Sequence, residues 1–298
     1  MNRVKRLFRR APFPHFFDHQ MDPDELLSMG FTVQQIQQAY EIAPDRVLDY
    51  LLREIQEVAH LNALHPTPVN ELHTQGSFSS SGSYTVATIS QFSFPNGRSA
   101  CTCIALQALS TLLPLVATSV DPNPLSSINV DTLSDIIIKG IELYGTIESR
   151  YSEHTSVEEV YNACALDSII PIDNTIQSPL SQEVFQTLIN YAITARNKIG
   201  VKCVGVVITK PPESICMFLS IKDDGSTEYM ILDSHHRPQL GIEGGYFYVT
   251  TDAKDVIEKL RSLFPPLELD AGASVFEQMY NMLEYSLFTV SGGRVDYI

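Results

Sequence analysis

Apolar positions along the chain change their period several times, and each change marks an element. Between residues 22 and 58 they recur at helical spacing in three short runs. Asp22 is placed to cap the first, Pro23 takes its first helical position, Glu25 closes a capping box and Gly30 stops it. Thr32 and Gln35 open the second run, and Pro44 opens a third carrying Val47, Leu48, Leu51, Leu52 and Ile55. Residues 59–82 hold Pro66, Pro68, Gly76 and serines around Gly82 with no sustained period, as a linker does. Beyond them, 84–94 is β-branched and aromatic and predicts a strand. Residues 101–116 carry no charge and predict a buried helix, and 131–144, 157–165 and 182–197 predict further helices. Strands follow at 201–209, 215–221, 229–235 and 246–250, with Asp224-Gly225 as a hairpin signal and a helix at 253–263. Helices first and a largely antiparallel sheet after them make an α+β domain. The expected organisation is a basic, flexible 1–20, a three-helix unit at 21–58, a linker at 59–82 and a larger domain at 83–298.

Charge narrows the function. The 298 residues carry a net −15, which argues against a nucleic-acid-binding surface over most of the chain. Arg3, Lys5, Arg6, Arg9 and Arg10 stand against Asp18 alone in the first 20 residues, leaving −19 for the remainder. A body of that sign attracts basic partners, and the short basic head reads as a frayed end. Five cysteines, an odd number with no Cys-x-x-Cys and no secretory signal before them, point to a reducing compartment, cytoplasmic or nuclear. The uncharged stretch 99–120 is long enough to span a membrane, but Gln107, Pro114 and several Ser and Thr favour a helix inside a soluble core, with no membrane partner.

Two local patterns carry chemistry. Asn96-Gly97-Arg98-Ser99-Ala100 is a turn leading straight into the uncharged helix, so Cys101 lies in the first helical turn. There the unpaired N–H groups and the positive dipole end stabilise a thiolate. Cys103 sits about 200° further round, so both sulfurs cannot address one site. A small buried apolar residue is the alternative for each. In the second pattern the strand 229–232 runs into Asp233-Ser234-His235-His236. Alternation puts Asp233 and His235 on one face, where a carboxylate can orient an imidazole; the alternative is a solvated strand end. A Cys opening a buried helix, with Asp and His about 130 residues later on an antiparallel sheet, is the papain-like arrangement. Gln91, ten residues before Cys101, is a candidate side-chain donor to an oxyanion, with the Cys101 N–H as the other. No His/Cys cluster has metal-ligand spacing and no Gly-rich phosphate loop occurs, so neither metal nor cofactor is expected.

Two resemblances follow from these residues. Leu26, Leu27, Met29-Gly30-Phe31, Ala39, Val47 and Tyr50-Leu51-Leu52 resemble a ubiquitin-associated (UBA) domain, which implies that Met29, Gly30, Phe31, Leu51 and Leu52 form an apolar patch for ubiquitin. The run Cys101-Thr102-Cys103-Ile104-Ala105-Leu106-Gln107-Ala108-Leu109, with Ile231-Leu232-Asp233-Ser234-His235, resembles the deubiquitinating cysteine protease domain of herpesvirus large tegument proteins and their non-viral relatives. The segment 208–213 fits the same family. That resemblance selects Cys101 over Cys103 and His235 over His236, and implies a papain-like fold and a catalytic set of Cys101, His235, Asp233 and Gln91. It also implies ubiquitin or polyubiquitin as substrate, entering by a basic, extended Leu-Arg-Gly-Gly tail. Glu243 is placed to pair with that tail's arginine, and Gly244-Gly245 to let backbone approach it, an ordinary turn being the other reading. Ile104, the short Gln91-to-Cys101 spacing and the UBA-like unit depart from the viral pattern. A protease for another ubiquitin-like modifier and a non-catalytic ubiquitin receptor are the competing functions.

Overall fold

The computed structural model describes residues 40, 82–147, 156–164, 166–181, 183–222, 224–267 and 280–292. The chain divides into two units, Met1–Gly76 with Glu268–Tyr280, and Ser77–Leu267 with Asn281–Ile298. Apart from Tyr40, the UBA-like elements and the linker expected before residue 82 lie outside the described residues, as do Met29, Gly30, Phe31, Leu51 and Leu52.

In the second unit the described elements are β1 (Ser83–Val86), α1 (Cys101–Thr118), α2 (Val130–Ile147), α3 (Val157–Ala163), β2 (Ile169–Pro171), β3 (Ile176–Pro179), α4 (Val184–Ile199), β4 (Cys203–Lys210), β5 (Glu213–Ile221), β6 (Thr227–Asp233), β7 (Tyr246–Thr250), α5 (Ala253–Leu263) and β8 (Met282–Val290). The eight strands form one antiparallel sheet in the order β1-β7-β6-β5-β4-β8-β2, with β3 also pairing β8. The fold is α+β, as the order of helices and strands predicts.

The sheet is apolar on both faces, which explains why its central strands read as nearly continuous apolar runs. Val207, Cys216, Phe218, Met230, Leu232 and Phe247 meet α1 and α2 on one face. Val206, Ile208, Met217, Ile231, Tyr246 and Tyr248 meet α4 and α5 on the other. Helix α1 is long and apolar enough to cross a membrane. Here it is the core helix, with Ile104, Ala105, Leu106, Leu109 and Leu112 fully enclosed. Gly140 brings α2 close to it, since a Cβ at that position would lie 2.5 Å from the Ile104 Cα and 2.9 Å from its N. Backbone cannot yield there as a side-chain tip can. Gly140→Ala is therefore expected to cost roughly 1–3 kcal/mol of overpacking, more than the gain in helix propensity returns. Urea denaturation measures this, and an unchanged midpoint would contradict the close helix approach.

Three expectations need correction. The strand expected over 84–94 pairs only over Ser83–Val86. After it the chain bonds to the β7 lead-in (Ala87 N to Gly245 O, 2.9 Å; Gly245 N to Ile89 O, 2.8 Å) and coils into a 3-10 turn at Gln91–Ser93. The strand expected over 229–235 ends at Asp233, so His235 stands in a bend beyond the sheet. The strands β2, β3 and β8 were not expected. Yet β8 is interior, bonded to β4 on one side and to β2 and β3 on the other. Its alternating Leu283, Tyr285 and Leu287 was the available signal.

Candidate active site

The site lies at the end of the sheet where β6 stops and β5 starts. The hairpin turn Pro211-Pro212 joins β4 to β5 there, and α1 begins beside it. Cys101 is the first residue of α1, whose N-cap, Ala100, supplies no side-chain hydrogen bond. The leading N–H groups thus keep their positive end towards the sulfur. Thr102 Oγ1 meets Ser214 Oγ at 3.1 Å, and Ser214 meets Thr209 Oγ1 at 2.8 Å, which ties the helix start to the hairpin.

The structure brings Cys101, His235 and Asp233 together. The Cys101 sulfur lies near enough to the His235 imidazole for each to shift the other's ionisation. His235 Nδ1 lies 2.6 Å from Asp233 Oδ1, and the same oxygen accepts the His235 backbone N–H at 3.0 Å. Both side chains are buried. As a thiol, Cys101 donates to the Pro212 carbonyl at 3.9 Å. Burial by itself would raise the Cys101 pKa. The hydrogen bond and charge of His235 and the Ser214 backbone N–H outweigh burial and hold it below the ordinary thiol value, with Glu213 opposing. Burial would likewise lower His235, but the charges of Glu213 and Asp233 and the bonds to Asp233 and Cys101 raise it above its ordinary range. The two shifts together favour thiolate and imidazolium. Cys103 is enclosed, and burial with the neighbouring Cys164 and Cys101 pushes its thiol far up.

Three site residues, Arg237, Tyr246 and Glu213, escaped the sequence reading. Arg237 donates from Nε to Asp233 Oδ2 at 2.8 Å, and its Nη1 and Nη2 grip Glu213 at 3.3 and 2.7 Å. Tyr246, opposite Asp233 in the β6–β7 register, reaches the same Oδ2 at 3.3 Å. Against the burial that would raise it, Arg237 and His235 keep the Asp233 carboxyl well below the usual range. Asp233, His235 and Arg237 stand two apart, and that spacing was the missed signal for Arg237. Glu213 had none, because only the β5–β6 register, with Cys216 opposite Leu232, carries it towards His235.

Gln91 is buried and joins the two halves of the site. Its Oε1 accepts from Ser234 Oγ at 2.7 Å, its Nε2 donates to the Arg98 carbonyl at 3.0 Å, and its backbone N–H donates to Ser234 O at 3.0 Å. One amide proton is therefore engaged by the turn before Cys101. Phe92 covers the imidazoles, its ring 5.7 Å from His235 and 4.8 Å from His236. Glu243 is exposed beside the buried Gly244 and Gly245. The close approach those glycines permit is made to this chain, since a Cβ on Gly244 would lie 1.9 Å from the Ala87 carbonyl and 3.0 Å from that of Ile89. Among the described residues, no group of three or more His, Cys, Asp or Glu is arranged to hold a metal ion.

No protein-family model and no curated protein matches the sequence. Among solved structures, the chain is similar to the ubiquitin-specific protease encoded by murine cytomegalovirus tegument protein M48, solved in complex with a ubiquitin-based suicide substrate. The TM-score is 0.48 at 13% sequence identity, over 72% of this chain and 89% of that one.

Proposed function

We propose that the chain is a thiol-dependent, papain-like hydrolase that cleaves the peptide or isopeptide bond after the C-terminal glycine of ubiquitin. The observation that carries this reading is the placing of Cys101, at the start of α1, beside the His235 imidazole, itself held by Asp233. The motif resemblance names the substrate, and the acidic body suits its basic tail. The UBA-like segment supplies a second ubiquitin contact through Met29, Gly30, Phe31, Leu51 and Leu52.

The Cys101 thiolate adds to the glycine carbonyl, and the oxygen takes up the negative charge. The Cys101 backbone N–H and the Gln91 amide proton not given to Arg98 are its donors. The His235 imidazolium gives its Nε2 proton to the departing lysine amine as the C–N bond breaks, which leaves a thioester. Neutral His235 then takes a proton from water, the hydroxide displaces the sulfur, and free ubiquitin leaves with thiolate and imidazolium restored. Glu243 meets the arginine of the substrate tail, and the Gly244-Gly245 backbone borders its path.

Cleavage of ubiquitin carrying a C-terminal amide-linked fluorophore tests the proposal, with a second ubiquitin-like modifier as control. Release from ubiquitin is expected, with a bell-shaped pH dependence of kcat/KM. Because the thiol is lowered, activity falls only as pH drops through a value below the ordinary thiol range. Because the imidazole is raised, the alkaline fall comes above the ordinary imidazole range. Release from the control alone would move the substrate to the other modifier, and release from neither would end the hydrolase reading.

A further inference from the structure

Lys259 is a buried cation that the proposed chemistry does not use. It sits in the apolar stripe of α5, between Val256 and Leu263, and is 7% exposed. Its Nζ makes no hydrogen bond. The ammonium lies instead over three tyrosine rings, 5.0 Å from the centroid of Tyr84, 4.8 Å from Tyr246 and 5.8 Å from Tyr248. Tyr84 on β1 and Tyr248 on β7 are register partners with rings 4.9 Å apart, so the cage is built by the sheet edge. Cation–π attraction holds such a group, but Leu or Met would fill the same stripe position without desolvating a charge.

The cage opens onto the acid of the candidate active site. Tyr246 presents its ring to Lys259 and its hydroxyl to Asp233 Oδ2. Asp233 and Arg237 are the charged groups that act on Lys259, and the three tyrosines are its titratable neighbours. Burial lowers the Lys259 pKa, Asp233 raises it and Arg237 lowers it, to about 8, so it is charged at neutral pH. The Cys101 thiolate, Asp233 and Glu213 face the His235 imidazolium, Arg237 and Lys259, with Lys210 opposite Glu213 at the end of the sheet. Removing Lys259 takes a positive charge from beside Asp233, which raises the proton affinity of Asp233 and of the groups coupled to it.

We propose that Lys259 and Tyr246 are positioning residues that hold Asp233 from the far face of the sheet and keep Cys101 ionised at lower pH than the rest of the site allows. The proposal rests on Cys101 being the nucleophile, but not on ubiquitin as substrate. Lys259 acts by charge, through Asp233. Tyr246 acts by its hydroxyl and by the ring that seats the ammonium.

The test reads the Cys101 thiolate directly. Iodoacetamide alkylation of the full chain is followed across pH by mass spectrometry of the Cys101 peptide. It is measured for the native chain and for Lys259→Met, Lys259→Arg and Tyr246→Phe, each checked for folding by circular dichroism. The alkylation midpoint is expected to rise by roughly half to one pH unit in Lys259→Met, with a smaller rise in Tyr246→Phe. Lys259→Arg, which keeps the charge, is expected to keep the native midpoint. A folded Lys259→Met with the native midpoint overturns the proposal. If Lys259→Met does not fold, Tyr246→Phe decides, and an unmoved midpoint there overturns it equally. Alkylation needs no protein substrate, so a failure to cleave ubiquitin leaves this measurement standing, and the reverse also holds.

Discussion

Cys101→Ala is expected to abolish covalent capture by ubiquitin bearing a C-terminal electrophile and to lower turnover by at least about 10³-fold, while Cys103→Ala retains both. The two sulfurs are two residues apart on one helix, and their surroundings separate them. Cys101 opens α1 against the His235 imidazole and the Ser214 N–H. Cys103 points into the core with its thiol pushed far up by burial, so it has almost no thiolate to offer. Neither change opens a large cavity, so folding should persist in both variants. Mass spectrometry of the adduct reads the outcome. Capture that survives in Cys101→Ala and vanishes in Cys103→Ala would transfer the nucleophile to the other sulfur, and capture that survives both would remove the catalytic reading.

Arg237→Met is expected to have the largest effect on stability, roughly 3–5 kcal/mol at neutral pH, with a loss of activity beside it. The guanidinium binds Asp233 and Glu213 at once, and Asp233 is fully enclosed. Its removal strands a buried carboxylate, and His235 loses the fixed partner that orients it. The pH dependence follows from the depressed Asp233. A carboxyl whose folded pKa lies below its unfolded value adds stability above the unfolded value and gives it up as pH falls through the folded one. With Arg237 gone the folded value rises towards the unfolded one. The variant therefore loses most at neutral pH and unfolds at a higher pH in acid. Glu213→Gln makes the informative contrast. That side chain is a third exposed, so the loss should stay near 1 kcal/mol. Urea denaturation at neutral and acid pH measures both, and equal losses for the two variants would show that Asp233 does not depend on the guanidinium.

How much of the site was readable depended on whether its signals were local. Cys101 was legible because a turn followed by an uncharged run locates a helix start, and the structure begins α1 at that residue. Asp233 and His235 were legible because alternation over three residues needs no knowledge of the partner strand, although His235 meets Asp233 from a bend rather than from the strand. Gln91 was picked by its spacing to Cys101. What the fold adds is that its side chain bonds to Ser234 and to Arg98, linking the two motifs. Gly244 and Gly245 were read as room for the substrate's backbone or as an ordinary turn, whereas the backbone that Gly244 meets in the structure is this chain's own, at Ala87 and Ile89.

Sequence by itself located the helix starts, the central strands and Cys101, Asp233 and His235 as candidates, which the family resemblance then singled out, because capping, periodicity and alternation act within a few residues of one another. Only the tertiary structure decided which face each helix covers, that β8 enters the sheet between β4 and β2, and that Glu213, Arg237, Tyr246 and Lys259 surround Asp233. Those outcomes depend on strand register and on the packing of α5 against the sheet. Charges set together by register carry no mark of it in the order of residues along the chain.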